Sequence, residues 1–174
     1  YSQMLKDEAS LSRSKMKKIN LLNVIDSVVD DFNNNLLNSK KKLKIHVSTS
    51  NLNGLKPNVL GVENRLEQIL ANVLDNAVSF SPDGGKIEVL CNANKSKVQL
   101  SIIDEGPGFN ETNISQIFSR FYSNRPEKFG EHSGLGLNIV KNIIELHGGT
   151  IQASNRNAAK KGAKIDIFFP LYNS

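Results

Sequence analysis

Two glycine-punctuated turns of different design constrain this chain more than any other feature. The first, DEGPGF from Asp104 to Phe109, follows an apolar alternation of Val98, Leu100 and Ile102 whose period of two predicts a strand. An aspartate at a strand end, with Gly106 and Gly108 removing side-chain bulk beside it, suits an exocyclic amine such as a purine carries. The second, HSGLGLNIV from His132 to Val140, sets Gly134 and Gly136 at the head of a run with helical spacing: Leu137, Ile139, Val140, Ile143, Ile144 and Leu146. Unpaired N–H groups and the positive end of the helix dipole suit a polyphosphate there. A base at one turn and phosphates at the other describe a nucleotide.

A third element fits the same ligand. From Glu63 to Ala77 the chain reads ENRLEQILANVLDNA, with Leu66, Ile69, Leu70, Val73, Leu74 and Ala77 on one apolar helical face. Asn72 and Asn76 lie four apart and share a side, with Asp75 adjacent. Amide oxygens one turn apart can complete the shell of a Mg²⁺ that is otherwise held by phosphate and water. Taken alone, such a pair reads more simply as two solvated asparagines on an amphipathic helix.

Charge and composition narrow the classes. The net charge of +5 comes with lysine clusters at Lys40–Lys42 and Lys160–Lys161 but with only 6% aromatic residues. Without aromatics between the cations there is no stacking platform, so a nucleic-acid partner is not expected, and solvated loop charge accounts for both clusters. The lone Cys91 leaves no internal disulfide, and its alternation with Ile87, Val89 and Ala93 predicts a core position on a strand. No run is apolar enough to span a bilayer and no signal-peptide pattern opens the chain, which fits a reducing, cytoplasmic setting.

The remaining pattern gives the organisation. Residues 1–17 are polar and helix-compatible. Asn20 is a candidate cap for a helix carrying Leu21, Val24, Ile25, Val28, Val29 and Phe32, which gives way to a polar run at Asn33–Lys42. A strand with Leu43, Ile45 and Val47 on one side follows, and the turn SPDGG from Ser81 closes the asparagine helix. Hairpins are predicted at 86–93 with 97–104, and at 150–155 with 162–169. Three long helices segregated from these strands predict an α+β sheet covered by helices on one face.

In this order the elements resemble the catalytic and ATP-binding domain of histidine kinases, in the superfamily shared with gyrase, Hsp90 and MutL. NVLDNA looks like the N box, DEGPGF like the G1 box, IFSRFY from Ile117 like the F box, and SGLGL like the G2 box. HGGTI from His147 resembles the segment after the last helix, and the likeness covers residues 20–170. The resemblance implies a two-layer α/β sandwich with a mixed sheet, the Bergerat fold. It also implies residues 1–19 as the end of a dimerisation and phosphotransfer hairpin and its linker, 20–174 as the catalytic domain, and an ATP lid at about 110–133.

The resemblance assigns roles residue by residue. Asp104 would take the adenine amine in a pocket shaped by Gly106 and Gly108, with Phe80 as an aromatic beside the nucleotide. Asn76 would hold Mg²⁺ and Asn72 would help orient metal or phosphate. Gly134, Leu135, Gly136 and Leu137 would face the phosphates. In the lid, Arg120 and Arg125 are candidate phosphate contacts, Phe118 and Phe121 candidate anchors, and Gly130 a joint. Two departures stand out: Ser79 occupies a usual lysine position, and His132 replaces the first glycine of the usual GxGxG. None of His46, His132 and His147 lies in an acid-flanked helical motif like the family's phosphoacceptor. The implied activity is therefore ATP-dependent phosphorylation of a histidine outside this chain. Its implied partners are the phosphotransfer hairpin of a dimeric parent kinase and a response-regulator receiver domain, and the parent is expected in the inner membrane. Rival readings are a hydrolysing ATPase of the superfamily, a serine-directed kinase, and a module whose site has decayed.

Overall fold

A computed structural model describes residues 16–110, 114, 116–119, 135–157 and 159–173. Strand β1 (Lys17–Asn20) leads directly into helix α1 (Leu21–Leu36), and the Asn20 side chain caps it by accepting from the Leu22 N–H at 3.0 Å. Such a cap satisfies a donor that the helix end leaves unpaired, an effect of about 1 kcal/mol. The stripe Leu21, Val24, Ile25, Val28, Val29 and Leu36 is buried, as its spacing demands. Asn33, which reads in sequence as the start of a polar run, instead exchanges two hydrogen bonds with the backbone of Ile45 and stitches α1 to the next strand.

Strand β2 (Lys44–Asn51) is followed by β3 (Asn58–Gly61) and then by α2 (Glu63–Phe80). β3 pairs antiparallel with β1 in a small ribbon that the sequence pattern does not announce. Lys17–Ile19 are thereby paired with the rest of the chain, with Ile19 in the core. Residues 1–15 of the expected hairpin segment lie outside the described residues.

Strands β4 (Lys86–Ala93) and β5 (Lys97–Ile103) form the first predicted hairpin. Helix α3 (Leu135–Leu146) precedes the second, β6 (Thr150–Asn155) with β7 (Ala163–Pro170). The main sheet runs β2-β4-β5-β7-β6, with β2 and β4 parallel and every other pair antiparallel. Alternation decides its faces. Ile87, Val89, Cys91, Val98, Leu100, Ile102, Ile165, Ile167 and Phe169 are buried beneath the helices, while Glu88, Asn92, Gln99 and Lys164 alternate onto the other side. α1 packs on β2, α2 on β5 and α3 on β6, and α2 touches both other helices. Burial pushes the Cys91 thiol up to about 11, so it stays protonated as an inert core side chain.

A histidine just past the end of a helix, as His147 is past α3, is favoured there as a cation by the helix dipole, but its surroundings make it neutral. It is buried, its Nδ1 lies 2.8 Å from the Ile143 carbonyl, and its Nε2 accepts the Val62 N–H at 3.2 Å. That pattern requires the neutral imidazole with its proton on Nδ1. Burial accordingly lowers its pKa below the ordinary 6.5, against the raising effect of the Ile143 bond. The ring joins the end of α3 to the start of α2, and a Cβ on Gly61 would lie 2.8 Å from its Cδ2. Because the unfolded chain binds the proton more readily, this stabilisation is complete above 6.5 and declines as the pH falls below it. Melting temperatures measured from neutral pH down to about pH 5 should fall more steeply for the native protein than for His147→Asn, which has no imidazole to titrate. Parallel curves would contradict the buried neutral ring.

Candidate nucleotide site

Asp104 leaves β5 as a buried carboxylate held by the backbone around it. Its Oδ1 accepts the N–H of Gly106 at 2.9 Å and of Ala163 at 3.1 Å, while its own N–H donates to the Ala163 carbonyl at 3.0 Å. Burial raises its pKa above the ordinary 3.8, opposed by the two backbone bonds and by the nearby Arg156 guanidinium. Both of these backbone bonds to its side chain fall on Oδ1, so a further donor would be met by Oδ2.

The glycines beside it mark close approaches. A Cβ on Gly106 would lie 2.6 Å from the Phe80 carbonyl oxygen, so this turn rests directly on the last residue of α2. Gly108, at φ 83°, has no room for a Cβ against Asn155. The Asn155 amide in turn clamps Phe109, accepting its N–H at 2.6 Å and donating to its carbonyl at 2.9 Å. Asn155, Arg156 and Ala163, at the two ends of the loop that joins β6 to β7, thus shape the aspartate turn. None of them stands out in the sequence, where the glycine of KKGA is the nearest signal.

On α2, Asn72, Asn76 and Phe80 follow one another at one-turn intervals on one side of the helix. All three are half-buried, and Phe80 meets the aspartate turn through its carbonyl. The two amides suit Mg²⁺ as hard oxygen donors. Among the described residues there is no cluster of three His, Cys, Asp or Glu side chains to form an all-protein cage. A metal that keeps phosphate and water in its shell is the kind such a site can serve.

At the start of α3, a Cβ on Gly136 would meet nothing within 4 Å among the described residues. Leu137 departs from the expected phosphate-facing role in one respect. Its side chain is buried in the core, so only its backbone can face a ligand. Leu135 begins the helix. Ile117 is buried and Phe118 packs on the core, as an anchor should. Arg120, Phe121, Arg125, Gly130, His132 and Gly134 lie outside the described residues.

Known proteins carry the same pattern. A family model described as "Histidine kinase-, DNA gyrase B-, and HSP90-like ATPase" matches residues 61–173. The sensor protein ChvG of Rhizobium meliloti (strain 1021) is 33% identical over 171 residues, covering 94% of this chain, which spans 30% of that relative's length. Among solved structures, the nucleotide-free catalytic domain of histidine kinase ThkA superposes with a TM-score of 0.76 at 27% identity, over 90% of this chain and 95% of that one. ThkA in complex with response regulator protein TrrA gives 0.73 at 26% identity, over 90% of this chain and 42% of that one.

Proposed function

Because the chain belongs to the family of histidine kinase-, DNA gyrase B- and HSP90-like ATPases, we propose that it binds Mg·ATP as the catalytic part of a sensor histidine kinase. The observation that carries this reading is the buried Asp104 carboxylate, held by the Gly106 and Ala163 N–H groups at the junction of the aspartate turn and the end of α2. Oδ2 accepts the adenine amine, and the start of α3 receives the phosphates. Asn76, with Asn72 behind it, would hold Mg²⁺, which when bound supplies neutralisation of phosphate charge. The chain's own part in transfer is positioning, which is the main requirement of phosphoryl chemistry.

The phosphate acceptor is a histidine on the phosphotransfer hairpin of a dimeric parent kinase. His147 does not suit that role, being buried and engaged at both nitrogens. The ThkA–TrrA complex supports a response-regulator receiver domain as the next acceptor. No helix among the described residues is long and apolar enough to cross a membrane. This fits a cytoplasmic catalytic part of a parent held in the inner membrane.

A hydrolysing ATPase is the weaker reading. Activating water needs a proton acceptor, and the amide of Asn72 cannot supply one at neutral pH. Incubation with γ-labelled ATP separates the readings. The isolated chain is expected to bind ATP yet acquire no alkali-stable, acid-labile label, and an added phosphotransfer hairpin should gain that label slowly, since tethering is lost. Label of the phosphohistidine type on the isolated chain would overturn the assignment of the acceptor. Acid-stable label on an added protein would favour the serine-directed reading.

A further inference from the structure

The last turn of α2 carries no basic residue, although its carbonyls form the negative end of the helix and the Phe80 carbonyl rests on Gly106. The cation arrives from elsewhere. Lys41, in the loop between α1 and β2, donates from Nζ to the carbonyls of Val78 and Ser79, each at 3.0 Å. It is half-buried, whereas its neighbours Lys40 and Lys42 are exposed. The same loop holds the turn after α2 at a second point, where the Lys42 N–H donates to Asp83 Oδ1 at 2.6 Å. Ser79 serves this cap through its carbonyl alone, because its hydroxyl turns back to the Asp75 carbonyl at 2.8 Å.

We propose that Lys41 is a positioning residue of the nucleotide site. Its ammonium fixes the last turn of α2, and with it the placement of Asn76 and Phe80 relative to the Asp104 turn. Three features support this beyond ordinary surface charge. An ammonium withdrawn from water must be compensated, and here two backbone acceptors compensate it. These two carbonyls belong to the residues between Asn76 and the Gly106 contact, so movement there changes both at once. Mg²⁺ tolerates little departure from its preferred geometry, so a small shift of Asn76 matters more to metal-bound nucleotide than to the base.

The inference rests on the nucleotide reading, and its test separates the two. Lys41→Met should raise the Mg²⁺ concentration needed for half-maximal ATP binding by roughly tenfold, while adenosine affinity changes by less than about threefold, since the Asp104 clamp is made elsewhere. Lys41→Arg, whose fork can donate to both carbonyls, should restore the native midpoint. Adding Ser79→Lys to Lys41→Met should recover part of the loss by placing a cation in the same turn. If Lys41→Met does not fold, Lys41→Gln is measured in its place. Equal loss of ATP and adenosine binding, in step with a lower melting temperature, would reduce Lys41 to a structural cap. An unchanged Mg²⁺ midpoint would also overturn the proposal. Native protein that binds no Mg·ATP would overturn the nucleotide reading with it.

Discussion

Asp104→Asn is expected to reverse the base preference of the site, turning an ATP-selective pocket into one that favours GTP. The side-chain oxygen of asparagine can still accept from the Gly106 and Ala163 N–H groups, so the turn keeps its local bonds. The second position becomes an NH₂ donor. It then faces the adenine amine donor to donor, whereas guanine presents a carbonyl at that place. Loss of a charge-assisted bond is worth about 1.5–3 kcal/mol, roughly a ten- to hundredfold fall in ATP affinity. The opposed donors add to that loss. Calorimetric titration with both nucleotides is the measurement, alongside a melting curve to show that the turn survives. A native protein with equal affinity for ATP and GTP would remove Asp104 from the base-binding role.

How much of this site the sequence discloses depends on the range of the interaction. The helices and the two hairpins are legible because burial of one face imposes a period, and Asn20 is legible as a cap because it serves a donor two residues away. The β1–β3 ribbon is not, since four-residue strands are too short to display alternation. The ends of Asp104's clamp lie 59 residues apart in Asp104 and Ala163, and the Asn155 clamp spans 46. No local pattern encodes such pairings. Lys41 is hidden differently. In the run Lys40–Lys42 all three side chains are alike, and only the course of the loop decides which one reaches α2. For His147, proximity to a helix end suggests a cation, but the packing of α2 over it decides for the neutral ring.

Asn76→Ala should separate the two halves of nucleotide recognition. If Asn76 contributes an oxygen to Mg²⁺, its removal abolishes most of the gain in ATP affinity that Mg²⁺ confers, on the order of ten- to hundredfold by the scale of lost metal-supporting contacts. Binding of ADP without metal should remain close to native, because Asp104, the proposed adenine contact, is held by β7 and the aspartate turn rather than by the middle of α2. Asn76 is half-buried at the edge of the apolar face of α2 and is not one of its buried core residues, so the truncation opens little core cavity and the fold should persist. Titrations of ATP and ADP, each with and without Mg²⁺, give the four affinities needed. Retention of the full Mg²⁺ effect in Asn76→Ala would transfer the metal role to Asn72, one turn earlier, and the same four titrations on Asn72→Ala would then show the loss.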